Sequence, residues 1–157
     1  MGQTVVEKIL QAHMTSGPDR PLRAGDFVSV RPRHVMTHDN TAAVLNKFEG
    51  LGIEKVGDPG QPVYTLDHDI GNKSEGNLAK YARIEAFAKA QGITFYPAGS
   101  GIGHQMMIEN GHVVPGEVLV ASDSHSNMYG ALGALGTPVV RTDAAALWAI
   151  GTVWWQV

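Results

Sequence analysis

Cysteine is missing from all 157 residues. Its absence excludes disulfides, zinc–thiolate centres, thiol nucleophiles and any iron–sulfur cluster ligated from within the chain. Charge is sparse and nearly balanced. Lys and Arg number 12 against 15 Asp and Glu, a net charge of −3, so the chain carries no basic footprint for nucleic acid. Long hydrophobic runs are lacking too. The longest apolar stretch, residues 144–155, is broken by Gly151 and Thr152 and falls short of the roughly 20 residues that span a bilayer. No basic region precedes an apolar run at the start, and position 6 is Val6 rather than Ser or Thr, which argues against a secretory signal and against myristoylation. These absences predict a soluble intracellular protein with no nucleic-acid or membrane partner.

What is present is a core and an excess of glycine. Hydrophobic residues make up 43% and glycines number 19, the latter high against a usual ~7%. Thr4 with Glu7 reads as a capping box opening a helix that buries Val6, Ile9 and Leu10. Strands are predicted at Phe27–Val30, Val63–Leu66, Ile93–Tyr96, Val118–Val120 and Val139–Val140. Helices are predicted from Asp39, Asn40 or Thr41 through Phe48, from Ser74 to Ala90, around Gln105–Glu109, and from Asp143 through Trp148. The Ser74–Ala90 helix is expected to bury Leu78, Ala82, Ile84, Phe87 and Ala88, with Gly92 closing it. Strands alternating with helices predict α/β: a three-layer α/β/α domain with a mainly parallel sheet. The end, Trp154-Trp155-Gln156-Val157, predicts a truncated chain or one whose end packs on something else.

Open α/β sheets bind ligands beyond the carboxyl ends of their strands. Polar, histidine-bearing clusters fall there repeatedly: His38-Asp39-Asn40, Asp67-His68-Asp69, Gly103-His104-Gln105, and Ser122-Asp123-Ser124-His125. Each has a bland reading. Asp67-His68 and the Ser122–Asn127 segment could be capping turns, and the glycines at 130, 133 and 136 suit close packing. His13 and His112 read as surface residues. The Gly99–Gly103 run matches neither a phosphate loop nor a dinucleotide fingerprint. Histidines beside carboxylates suit proton transfer, because the carboxylate fixes the tautomer and stabilises the charged ring. Two chemistries remain open on these residues: a metal-dependent hydrolase using His68, His104 and His125 with Asp67 or Asp123, and acid–base addition or elimination of water.

The stretches Met36–Asn40, Thr65–Glu75, Pro97–Gln105 and Ala121–Asn127, the last continuing through Leu135–Ala145, resemble the aconitase superfamily, most closely its homoaconitase branch. The resemblance implies that residues 1–157 are a single aconitase-like α/β domain, truncated at the C-terminus. It implies an iron–sulfur-dependent hydro-lyase acting on a small di- or tricarboxylate, in the α-aminoadipate route to lysine. A 4Fe–4S cluster would belong to the complete enzyme, with ligands outside this chain. Further aconitase-like domains in cis, or a small subunit in trans, would complete the site, and the isolated chain is expected to be inactive. By the same resemblance Asp67 and His68 protonate the departing hydroxyl, and His104 pairs with Asp123. Ser124 contacts a substrate carboxylate, and His125 lies near the reacting oxygens. His38 contacts substrate where aconitases proper carry glutamine. Alternatives are the 3-isopropylmalate dehydratase large subunit, an aconitase, or a non-catalytic assembly fragment. The compartment is expected to be cytoplasm or mitochondrial matrix.

Overall fold

The structure, a computed structural model, describes residues 2–157. In chain order the elements are α1 (Val5–His13), β1 (Met14–Ser16), β2 (Phe27–Val30), β3 (His34–Thr37), α2 (Thr41–Glu49), β4 (Pro62–Thr65) and α3 (Glu75–Gln91). There follow β5 (Thr94–Tyr96), α4 (Gly103–Glu109), β6 (Val118–Ala121), a 3₁₀ segment (Ser126–Leu132), β7 (Leu135–Pro138), α5 (Arg141–Ile150) and β8 (Val153–Gln156).

Five strands form a wholly parallel sheet in the order β5-β4-β3-β6-β7. Alternating side chains of its central strands bury both faces. Val35, Tyr64 and Val120 pack under α2, α3 and α5 with Val44, Leu45, Phe48, Ile84, Leu147 and Trp148. Met36, Val63, Leu119 and Ala121 point the other way, against Met107 of α4 and Tyr129 of the 3₁₀ segment. Two-sided burial is what a parallel sheet requires, and it makes the three layers. A smaller antiparallel sheet, β1-β2-β8, packs with α1 through Leu10, Leu22, Val28 and Val30.

The parallel sheet starts in the middle. β3 is the first of its strands in sequence, β4 and β5 extend to one side, and β6 and β7 to the other. The winding direction therefore reverses between β3 and β6, and a crevice opens beyond the carboxyl ends at such a switch point. His38, Asp67 and Ser122 lie immediately past or within two residues of β3, β4 and β6.

Several expectations need correction. The predicted strand Phe27–Val30 exists but belongs to the antiparallel sheet, with Phe27 exposed. The central strand β3 and the short β1 and β8 were not predicted. The last parallel strand is Leu135–Pro138, not Val139–Val140. Pro138 can lie in it because β7 is an edge strand, where a missing N–H costs little. Val6 is exposed, whereas Glu7 is buried, because its carboxylate accepts the Thr4 N–H at 2.6 Å and the Ala24 N–H at 3.2 Å. Leu78 and Ala82 are exposed, leaving Ile84 and Ala88 as the fully buried contacts of α3. Asp143 lies in the first turn of α5 and does not cap it. His13 and His112 have partners: His13 bonds the Ile9 carbonyl at 2.9 Å and Glu117 at 2.7 Å, and His112 bonds the Tyr96 hydroxyl at 2.8 Å. Among the described residues no helix is long and apolar enough to cross a membrane.

Candidate active site

Three loops, after β3, β4 and β6, bring His38, Asp67, His68 and Asp123 together, and α4 adds His104. Asp123 is the hub. Its Oδ1 accepts the His104 Nε2–H at 2.8 Å and the His125 backbone N–H at 2.7 Å. Its Oδ2 faces Nε2 of both His38 and His68 at 3.8 Å. Burial opposes charge on Asp123. The His104 hydrogen bond, the His125 N–H and the nearby His104 and His38 outweigh it and hold the carboxyl down at about 2.

His104 is oriented at both nitrogens. A carboxylate can only accept, so Nε2 carries a proton toward Asp123, while Nδ1 is hydrogen-bonded to the Tyr129 hydroxyl at 2.7 Å. Tyr129 is fully buried, and its burial together with Asp123 and Asp67 raises its pKa, so the hydroxyl stays protonated. His104 thus has no free ring nitrogen in this arrangement.

His68 is the opposite case. Its Nδ1 bonds Asp67 Oδ1 at 2.5 Å while its side chain is half exposed, which leaves Nε2 facing the cleft. The other oxygen of Asp67, Oδ2, accepts the Gly103 N–H at 2.5 Å, at the start of α4. Position 103 needs glycine, because a Cβ there would overlap Thr65 Oγ1 and sit 2.9 Å from Asp67 Oδ2. Burial disfavours the charged form of His68, but the Asp67 hydrogen bond and the charges of Asp67, Asp123 and Asp39 prevail and raise its pKa above the ordinary 6.5. His38 stacks on His68 with ring centroids 4.0 Å apart and planes 24° apart. Burial and the His68 charge push its pKa down, more than the three carboxylates lift it. Two adjacent imidazoles are thereby driven apart, His68 toward the charged form and His38 toward the neutral one.

Ser124 and His125 are both exposed, but only His125 lines the cleft with the other histidines; Ser124 lines a neighbouring hollow with Pro138, Val139, Val140 and Arg141. His125 Nδ1 is 3.3 Å from Asp123 Oδ1, and its side chain is 80% exposed. Asp67, His68, His104, Asp123 and His125 line one open cleft of about 360 Å³, with Ile102, Gln105 and Met128. Among the described residues one group places candidate metal-ligand atoms within 4.8 Å of each other: His38, Asp39, Asp67 and His68. His104 and His125 are outside it, so the triad His68, His104 and His125 of the metal-hydrolase reading does not assemble.

Sequence reasoning placed Asp39, Asn40 and Gly103 within the polar clusters without giving them a role in the site, and it did not mark Tyr81 or Tyr129. Asp39 and Asn40 read as helix caps, and nothing in the spacing of Tyr81 and Tyr129 marks them as partners of loop residues. Only a carboxylate and an amide directly after His38 offered a signal.

The depressed Asp123 carboxyl has a measurable consequence. A carboxyl lowered in the folded chain adds stability that is present above its ordinary value of 3.8 and is lost as pH falls toward about 2. Urea midpoints at pH 5 and pH 2.5 are expected to drop less for Asp123→Asn than for the unmodified chain. Equal drops would contradict the assigned pairing.

Comparison with known proteins gives concordant matches. A family model described as the aconitase family (aconitate hydratase) matches residues 7–157. The chain is 58% identical over 156 residues to a protein named mitochondrial homoaconitase from Yarrowia lipolytica, covering 99% of this chain and 23% of that one. It is 59% identical to the protein of that name from Candida glabrata, again covering 99% and 23%. With the one from Neurospora crassa the identity is 56%, covering 99% and 20%. The chain thus spans between a fifth and a quarter of these relatives' lengths.

Proposed function

The chain belongs to the aconitase family, and from that premise we propose that it is the domain of a homoaconitate hydratase-type hydro-lyase that supplies the proton for hydroxyl departure. The observation that carries this reading is the His68 imidazole, bonded to Asp67 through Nδ1 and open to the cleft through Nε2. Dehydration of a hydroxy-tricarboxylate breaks a C–O bond whose leaving group is poor as hydroxide. A proton from His68 Nε2 lets it leave as water, and the reverse step returns the proton. Asp67 fixes the tautomer and supports the charge, so it acts through His68. His104 and Asp123 act likewise as positioning groups, holding a negative charge opposite His38 and His68. His38, Ser124 and His125 are the substrate contacts in this reading. The carbon-bound proton goes to a base outside these 157 residues.

The family implies a 4Fe–4S cluster, which supplies Lewis-acid binding of the substrate hydroxyl when bound. The donors around this cleft are imidazoles and carboxylates, and the chain has no cysteine. These residues do not fit such a cluster as its ligands, so cysteines beyond the chain would hold it, and the chemistry assigned here is confined to the chain's own side chains. The partners in this reading are a small carboxylate substrate and the remaining domains of the longer polypeptide. The word mitochondrial in the relatives' names supports the mitochondrial matrix as the compartment in this reading.

Product analysis with a polypeptide of the relatives' full length tests the reading. Interconversion of homoaconitate and homoisocitrate in preference to isopropylmalate or citrate is expected. Preference for isopropylmalate would shift it to the 3-isopropylmalate dehydratase reading, and no hydration of any of them would remove it. In the same protein Ser124→Ala is expected to raise KM by about tenfold or more with kcat little changed, since a hydrogen bond to a charged group contributes about 1.5–3 kcal/mol. A fall in kcat at constant KM would instead assign Ser124 to the chemical step.

A further inference from the structure

We propose that Asp39 is a positioning residue that, locked by Tyr81, fixes the loop carrying Asp67 and His68 to the end of the central strand β3. The carboxylate is 9% exposed and fully subscribed. Oδ2 accepts the backbone N–H groups of Asp67 at 2.9 Å and His68 at 2.8 Å. Oδ1 accepts the Asp69 N–H at 3.2 Å and the Tyr81 hydroxyl from α3. A carboxylate offers about four acceptor sites, and all four are taken by donors of the β4 loop and α3. No lone pair is left for a substrate, so Asp39 acts through the loop it holds.

The next residue reaches the other way. Asn40 Nδ2 donates to the Ser122 carbonyl at 2.6 Å and approaches its Oγ at 3.2 Å, past the end of β6. Two consecutive side chains after β3 thus tie the loops on either side of the switch point, one carrying His68 and the other Asp123. His38, just before them, stacks on His68 and faces Asp123. The separation of His68 Nε2 from Asp123 Oδ2 is therefore set by main-chain anchors as well as by side-chain packing. Three consecutive amides on one buried carboxylate give a rigid anchor, because each released N–H would lose a charge-assisted bond.

This inference rests on the proposed part of His68 in catalysis only for its functional meaning. The positioning itself is measurable in the 157-residue chain. The groups facing His68 are Asp67, Asp123, Asp39 and His38. In Asp39→Asn, amide exchange at residues 67–69 is expected to rise at least about tenfold relative to Leu119 and Val120, as expected when one loop opens without the sheet. The NMR titration midpoint of the His68 ring is expected to fall, in part through the lost Asp39 charge itself. In the full-length protein the same substitution is expected to lower kcat more than it changes KM. A folded Asp39→Asn chain with unchanged exchange at 67–69 overturns the proposal. So does exchange that rises uniformly across the sheet, which describes a merely structural carboxylate whatever the His68 midpoint does, because the lost Asp39 charge lowers that midpoint by itself. If Asp39→Asn does not fold, Tyr81→Phe carries the same test, with a smaller rise in exchange at 67–69 expected and no rise overturning it. A loosened loop and shifted His68 with undiminished turnover would support the positioning while removing His68 from the reaction.

Discussion

Replacing His68 by alanine is expected to cut turnover of the full-length enzyme by roughly 10²–10⁴, the usual range for a lost general acid. The size follows from what no neighbour can replace. His104 has both nitrogens engaged, by Asp123 and Tyr129. His38 is held toward its neutral form first by burial, which does not depend on the His68 charge. His125 lies out at the rim, 80% exposed. Removing His68 also removes the cation that Asp67 and Asp123 are arranged to stabilise, leaving two carboxylates in one cleft. KM is expected to move less than kcat, since proton delivery matters in the transition state. The fold should survive, because His68 is half exposed and its loop is held by backbone bonds to Asp39. A His68→Ala enzyme with near-normal kcat would remove the residue from the chemistry.

The second large effect is on stability. Trp148 of α5 is fully buried where the helix layer meets the sheet, against Phe48 at 6.0 Å and Tyr64 at 4.9 Å between ring centroids. Trp148→Ala is expected to cost about 3–5 kcal/mol, the sum of lost transfer energy and the cavity left behind. A domain of this kind is stable by about 5–15 kcal/mol, so the variant would stand close to unfolding. Trp148→Phe separates packing from polarity. The indole N–H has no partner and the Tyr64 hydroxyl beside it none either, so the phenyl ring keeps much of the contact and buries no unpaired donor. That substitution leaves a smaller cavity than alanine does and is expected to cost less than the alanine variant. Urea denaturation of the three chains measures both, and equal losses for Ala and Phe would mean that ring packing is not what Trp148 contributes.

Much of this architecture is legible in the residues before any coordinates. Val63–Leu66 and Val118–Val120 are apolar, bounded by turn residues and correctly read as strands. The polar clusters behind them, Asp67-His68 and Asp123-Ser124-His125, fall where a doubly wound sheet puts its ligands. The central strand β3 escaped because His34-Val35-Met36-Thr37 has only two apolar residues and follows Arg-Pro-Arg. Its burial comes from neighbours on both sides, which no local pattern reports. Asp67 and His68 are adjacent in sequence, so their pairing could be guessed from spacing. The partners of Asp39 lie 28, 29, 30 and 42 residues away, and a buried carboxylate with distant amide donors looks, in sequence, like any helix cap. His104 shows the same limit. Its pairing with Asp123 came from resemblance, but the Tyr129 hydroxyl that occupies its other nitrogen depends on the 3₁₀ turn packing under α4. Chemistry-bearing residues were therefore easier to find than the residues that hold them.

The central claim is that His38, His68 and Asp123 form one electrostatic unit across the switch point. Long-range proton–nitrogen NMR of the histidine rings, titrated in the unmodified chain and in Asp123→Asn, tests it most directly. His68 should titrate above 6.5 and His38 below it, and both midpoints should fall when the Asp123 charge is removed. Two rings titrating at ordinary values and indifferent to Asp123→Asn would contradict it.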